Sequence, residues 1–387
     1  THEPFHVPEV LLAHCREMST RGREVEAEWR SRVAGMRTNF PGDVDRLLAR
    51  LADPLLDGGW RTVLEGFAFE ERPVATRTVS GQVLNALAPV LPTLMGGSAD
   101  LAPSNMTWLR DTVTGPGGVG ARNLHFGVRE HAMAAVSNGI ALHGGFVSYC
   151  GTFLVFSDYM RGAMRLSAMM GARVIYVLTH DSVAVGEDGP THQPIEQIAS
   201  LRAMPDMVVI RPADARETVA AWGVALEREG PTVLVLSRQN LPLLSGSVPD
   251  GVSRGAYIVS EAAAGHAMDM ILIATGSEVH PALAAQQILR DEGINARVVS
   301  MPSWELFAAQ PAEWREHVLP SGVKNRLAIE AASSFGWGRW TGDESAVVGI
   351  NHYGASAPGD RLLTEFGFTA ERIAWRALSL FSHRNAV

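Results

Sequence analysis

Lysine is almost missing from this chain: of 33 basic side chains, 32 are arginines and one is Lys324. That shortage excludes several chemistries. A phosphate-binding P-loop needs Gly-Lys-Ser/Thr, and no such tripeptide occurs. A Schiff-base or pyridoxal enzyme needs a desolvated amine. Only Lys324 is available, and GVKNRLAIE places it at the solvated start of a strand. Recognition of phosphate or carboxylate therefore falls to arginine, whose planar fork holds such groups bidentately. Cysteine is scarce too. Cys15 and Cys150 form no CxxC pair and no disulfide framework, which points to a reduced, cytoplasmic compartment. HExxH, GxSxG and GxGxxG are all lacking, and the 13 histidines are too scattered to form a metal constellation.

Acid exceeds base, 41 against 33, and a net charge of −8 argues against a nucleic-acid or anionic-membrane surface. Residues 132–156 contain no Asp, Glu, Lys or Arg, and these 25 residues are long enough to span a bilayer. Ser137, Asn138, His143, Ser148 and four glycines interrupt them, however, so the segment reads as a buried helix, a turn and a buried strand rather than a membrane span. No signal peptide is expected before it. The chain starts at Thr1 rather than Met, as a piece of a longer protein would.

Residues 1–71 read as a helical linking arm. Val25, Trp29, Val33 and Met36 recur at spacings of four, four and three, one face of an α-helix, and Leu47, Leu48, Leu51, Leu55 and Leu56 repeat the pattern. From 72 to 242 the pattern changes. RVIYVLTH, DMVVIRP and PTVLVLSRQ are continuous apolar runs separated by helical segments such as ADARETVAAWGVALE. Runs apolar on both faces and spaced by helices predict a parallel sheet covered on both sides, an α/β domain. Residues 241–255, rich in Gly, Pro and Ser, read as a linker. A second, smaller α/β domain follows over 256–387, with strands in MDMILIATGS, NARVVSM and RLAIEAA and a last helix near 370–380.

In open parallel α/β sheets ligands gather beyond the carboxyl ends of strands. After RVIYVLT comes HDSVAVGEDGPTHQP, with two histidines, three carboxylates and glycines at 186 and 189. Asp181 there fits a turn cap, and His180 fits a simple donor to a carbonyl. The density of titratable groups nevertheless exceeds what a turn requires. Arg238, at the next strand end, fits an anion site or a salt bridge equally well. MGGSADLAPSN is a Gly-rich strand exit carrying Ser98, Asp100 and Ser104. Glu130 starts a helix, where a carboxylate also complements the positive helix end. Phe153, Phe156 and Tyr159 recur at i, i+3 and i+6, a stripe that suits core packing or the cover of a flat ring.

Taken in order, GGSADLAPSN, HFGVREHAM, GTFLVFSDYMR, THDSVAVGEDGPTHQP, RPADARET, SRQNLP and MPSWELF closely resemble the motifs of the transketolase family of thiamine-diphosphate enzymes. HEPFHVPEV is similar to that family's link between its first and second domains, so the likeness covers the whole chain. It implies a pyrimidine-binding parallel-sheet domain followed by a transketolase-like C-terminal domain. The family's first domain, which holds the diphosphate and a magnesium or calcium ion through GDG and a later Asn, has no counterpart here, and no metal ligand is expected in this chain. The resemblance implies a homodimer with shared active sites.

Carried over by motif position, Glu130 would hydrogen-bond the aminopyrimidine ring nitrogen and help generate the reactive carbanion. Phe153, Phe156 and Tyr159 would surround that ring, with Phe156 stacked on it, and Asp100 would lie beside the cofactor. His192 and Asp188 would contact the reacting end of the donor sugar. Arg77, Ser104, His180 and Arg238 would hold the terminal phosphate. The implied reaction moves a two-carbon ketol unit from a ketose phosphate to an aldose phosphate. Dihydroxyacetone synthase, which uses formaldehyde as acceptor, shares these motifs, whereas THDS and SRQNLP disfavour deoxyxylulose-phosphate synthase. A catalytically inert partner subunit, needing a separate diphosphate-binding chain, is the alternative of another class. Two departures from the family pattern stand out, Cys150 before GTF and NHYGASAP at 351–358. Neither is expected to touch the chemistry.

Overall fold

The computed structural model describes residues 3–56, 58–110 and 121–385. Chain packing divides it into two compact units, Thr1–Leu56 and Asp57–Val387. The first unit is a pair of helices, Glu9–Asn39 and Pro41–Ala52. Pro41 opens the second at its first turn, where its missing N–H costs nothing. No residue of the longer helix is buried within the unit, and Val25, Trp29 and Met36 are exposed. Its polar face is tied by Arg30–Glu26 and Arg32–Glu28 pairs, each with the acid four residues ahead of the base, the favourable order along a helix.

The second unit is built on two sheets. The larger has six strands in the order Asn123–His125, Leu94–Ser98, Val147–Phe153, Val174–Thr179, Thr232–Leu236 and Val208–Ile210. Every neighbouring pair is parallel. Helices cover both faces, so the central strands are buried throughout: every residue of Val147–Phe153 and Val174–Thr179 is buried. The smaller sheet has five strands in the order Val347–Val348, Arg326–Ile329, Met270–Ala274, Ala296–Ser300 and Tyr257–Ser260. Its last strand is antiparallel, which makes the sheet mixed.

The α/β character, the long apolar strands and the helix–turn–strand reading of 132–156 match this architecture, with a helix at Glu130–His143 leading into the strand Val147–Phe153. Residues 241–255 are more ordered than a linker. Asn240–Leu241 pairs with Val74–Ala75 as a small antiparallel ribbon, and Pro249–Ser253 forms a short helix. Lys324 lies exposed just before the strand Arg326–Ile329, as its sequence context implies. Both cysteines are free, Cys15 exposed and Cys150 buried, where burial pushes its thiol up to about 12. Among the described residues no helix is long and apolar enough to cross a membrane.

Candidate active site

All strands of the large sheet run the same way, so their carboxyl ends open onto one edge. The Val74–Ala75 ribbon folds back over that edge. Thr76 N donates to Ser237 Oγ at 3.1 Å and Ser237 N donates to Thr76 Oγ1 at 2.7 Å, which fixes Arg77 beside Arg238 although 161 positions separate them in sequence. Arg77 Nη1 donates to the carbonyl of Ser104 at 2.8 Å and meets His180 Nε2 at 3.3 Å.

Those contacts assign the histidine tautomer. A guanidinium only donates, so Nε2 accepts and the proton sits on Nδ1, which donates to Thr179 Oγ1 at 2.8 Å. Asn105, bonded to Ser98 Oγ at 2.8 Å, donates to the same Thr179 oxygen at 2.6 Å. Burial, followed by the positive charges of Arg77 and Arg238, pushes His180 down to about 3. The imidazole is therefore neutral at working pH. Burial, then Arg238, also lowers Arg77. Its Nε is buried without a partner among the described residues.

The aromatic residues continue this arrangement. Phe153 ends its strand, Phe156 lies in a 3-10 turn and Tyr159 in the following helix, so the i, i+3, i+6 spacing crosses three local structures rather than marking one helix face. The Phe153 and Phe156 rings stack with centroids 5.7 Å apart and 10° between planes. His180 lies 3.7 Å from the Phe153 centroid, and His192 packs edge-on to Phe156 at 5.4 Å. Tyr159 is largely exposed at the rim, 6.0 Å from Phe156. The structure thus brings Arg77, Ser104, Phe153, Phe156, His180 and His192 into one contiguous patch, with Tyr159 and Arg238 bordering it.

Three candidates stand apart from these contacts. Asp188 is exposed on the loop between His180 and His192. Asp100 is exposed, with a left-handed φ of 65°, and lines a separate concavity with Gly97, Trp108 and His125. Glu130 is the first residue of its helix and is buried, at 8% exposure, with no hydrogen bond from any described residue. Its helix and Ser157–Met170 leave the same sheet edge and pack side by side. Asn138 Nδ2 donates to Ala163 O at 2.9 Å.

Several supporting residues escaped the sequence reading. Asp181 is no turn cap: it is buried against Arg211, which also pairs with Glu278 of the smaller α/β domain. Arg211 follows the strand Val208–Ile210, the same strand-end signal that marked Arg238. Thr179, Asn105 and Gln193 are buried polar residues that each have one partner far away in sequence, 74 positions for the Asn105–Thr179 pair and 162 for Gln193–Ala355, which no local pattern reveals. The GASAP part of NHYGASAP packs on the loop that bears Asp188 and His192. Ser356 Oγ donates to Glu187 O at 2.5 Å, and Gln193 Nε2 donates to Ala355 O at 2.9 Å.

Two family models match, the transketolase pyrimidine-binding domain over residues 72–243 and the transketolase-like TK C-terminal domain over 255–369. The chain belongs to the transketolase family. A transketolase of Halalkalibacterium halodurans is 50% identical over 98% of this chain and 57% of its own length. A Pichia stipitis transketolase solved in complex with sedoheptulose 7-phosphate superposes with a TM-score of 0.89, at 39% identity, over 99% of this chain and 57% of that one. A chain described as a split-gene transketolase in an inactive beta4 tetramer superposes with a TM-score of 0.65, at 25% identity, over 80% of this chain and 99% of that chain. This transketolase-family chain thus spans about half the length of the full-length relatives it matches.

Proposed function

We propose that this chain carries the aminopyrimidine half of a transketolase active site, and that the complete protein transfers a two-carbon ketol unit from a ketose phosphate to an aldose phosphate. The observation that carries the reading is a pair of guanidiniums without a counter-ion. Arg77 and Arg238 each lower the proton affinity of neighbouring groups, and neither has an acidic partner among the described residues. Holding two like charges beside a buried neutral imidazole is unfavourable until an anion joins them. A phosphate monoester brings close to two negative charges and three acceptor oxygens to such a fork.

The terminal phosphate is assigned to Arg77, Arg238, His180 and the Ser104 turn, and the reacting end of the donor sugar to His192 and Asp188. Phe153, Phe156 and Tyr159 cover the aminopyrimidine, with Asp100 beside the cofactor. Thiamine diphosphate, when bound, supplies the carbon nucleophile and the electron sink. The residues present offer what its pyrimidine end needs: the aromatic stack of Phe153 and Phe156, and at a helix start the carboxylate of Glu130, buried and without a side-chain hydrogen bond among the described residues. Glu130 is assigned to accept from, or share a proton with, the ring nitrogen. Among the described residues no group of three or more His, Cys, Asp or Glu is placed to hold a metal. The magnesium or calcium ion and the diphosphate are assigned to sequence outside this chain.

Exposed Val136, Leu142, Leu166, Met169 and Met170 on the two adjoining helices support a homodimer with shared sites. The two free cysteines support a cytoplasmic setting, and the substrate class a role in pentose phosphate metabolism. In the complete enzyme Glu130→Ala is expected to lower turnover by at least about 100-fold. Full turnover with cofactor bound would refute the assignment. Rates with ribose 5-phosphate and with formaldehyde separate transketolase from dihydroxyacetone synthase. The split-gene neighbour favours a second reading, a subunit that works only with a separate diphosphate-binding chain. Reconstitution of activity by such a chain distinguishes it from a single polypeptide.

A further inference from the structure

Gln193 lies directly after His192, is 2% exposed, and has no part in the chemistry assigned above. Its Nε2 donates to Gly186 O at 2.8 Å and to Ala355 O at 2.9 Å. Those are its two shorter bonds, and a longer one of 3.4 Å reaches Val183 O. Gly186 O also accepts from Gly189 N at 3.1 Å, and His192 N donates to Gly189 O at 3.0 Å. Residues 187–192 therefore form an arch whose feet, 186 and 193, are joined by one side chain. That same side chain fastens the arch to the smaller α/β domain.

The fit on the far side is close. Gln193 Oε1 is buried with no donor among the described residues and rests against Gly354, where any Cβ would overlap it. Ser356 Oγ adds a bond to Glu187 O at 2.5 Å. Gly186 and Gly189 take left-handed φ of 88° and 77°, and a Cβ at Gly189 would come 3.4 Å from Ser356 Cβ.

We propose that Gln193 is a positioning residue: its carboxamide locks the arch carrying Asp188 and His192 onto the 354–356 segment, so that the C-terminal domain sets the donor-sugar geometry without touching the sugar. The proposal rests on the reading of that loop as the donor-sugar contact. A carboxamide is suited to the task because its one nitrogen offers a hydrogen to each of the two carbonyls. Glutamate would offer a charge and no hydrogen to either, and methionine would keep the volume while making neither bond.

The test uses the complete protein, reconstituted with any separate diphosphate-binding chain, and compares wild type with Gln193→Glu, Gln193→Met and Gly354→Ala. Each variant is expected to lower kcat/KM for the ketose phosphate donor by about 10- to 100-fold, the scale of a small misplacement at a reacting centre. Affinity for thiamine diphosphate should stay within about twofold, since the residues assigned to the pyrimidine, Glu130, Phe153, Phe156 and Tyr159, belong to none of the segments the clasp joins. Amide hydrogen exchange should accelerate in 183–193 and stay unchanged in the strand 147–153. Adding Gly354→Ala to Gln193→Met should cost nothing further, because both break one clasp. Wild-type exchange at 183–193 in Gln193→Glu or Gln193→Met overturns the proposal, and so does unchanged kcat/KM. If wild type itself transfers no ketol unit, the functional reading falls, and the exchange measurement still decides whether the clasp exists.

Discussion

His180 lies at a strand end against the Arg77 guanidinium, with a left-handed φ of 62° that few residues other than glycine adopt. Its charge state follows from that location. The ordinary imidazole value is about 6.5, and the folded chain pushes it down to about 3 through burial first and the cations second. The unfolded chain therefore binds a proton below about pH 6.5 that the folded chain refuses. Stability from the neutral ring is fully present above that pH and is lost as pH falls towards 3, by up to about 1.4 kcal/mol per pH unit. Glu217 acts in the opposite sense. Burial, with Asp214 beside it, pushes its carboxyl up to about 7, so its contribution is present below about 4.5 and lost as pH rises through 7. Comparing His180→Gln with wild type in denaturant titrations at pH 7 and pH 5 isolates the histidine. The variant should lose less stability on acidification, and an equal loss would sink the account. His180 and Arg77 were legible from their motifs, but the neutral tautomer was not, because it depends on Arg77, 103 positions away.

At the scale of elements, the strand Leu94–Ser98 shows why a Gly-rich segment belongs in a central position. It lies between Asn123–His125 and Val147–Phe153, and a Cβ at Gly96 or Gly97 would run into the carbonyl oxygen of Tyr149 or Leu124. Glycine there serves close backbone approach, not a phosphate loop. Gly97→Ala is expected to destabilise the protein by about 1–3 kcal/mol, the usual cost of overpacking. An unmoved urea midpoint would contradict it. The neighbouring strand Asn123–His125 has three residues, too short for any periodic pattern to register. Tyr257–Ser260 alternates buried and half-buried residues at a sheet edge, a weaker signal than the continuous runs of the central strands. The long helices were readable because each has a regular apolar spacing, as in Ala215–Glu227 and Ala370–Asn385.

Across the whole second unit, buried polar links fasten the two sheets' layers together beneath the candidate site. Arg211, fully buried, pairs with Asp181 at 2.8 Å and with Glu278, and donates to Thr275 O at 3.2 Å. The two facing carboxylates raise its proton affinity beyond the ordinary arginine value despite burial. Arg202 pairs with Glu330 through two bonds of 2.8 and 2.9 Å, and its guanidinium lies 4.1 Å from the Trp304 ring. Arg211→Ala would strand two buried carboxylates and is expected to cost about 3–5 kcal/mol. Adding Asp181→Asn and Glu278→Gln should restore much of that loss, because no uncompensated charge remains. Calorimetric melts of the three proteins check it, and a single variant as stable as wild type would falsify the account. Asp181 sits next to His180, so the same link ties the C-terminal domain to the segment that leads into the arch closed by Gln193.

The sequence by itself determined the α/β class, the parallel core strands, the family resemblance and the side chains offered to the site, because apolar runs and collinear motifs are local properties of the chain. The tertiary structure decided which of those side chains meet. It set Arg77 beside Arg238 and brought 354–356 against the His192 loop. Each depends on strand order and on contacts across more than a hundred residues, which no window along the chain contains. The lysine shortage takes its meaning at the same level: the fold sets two arginines side by side with no acidic partner among the described residues.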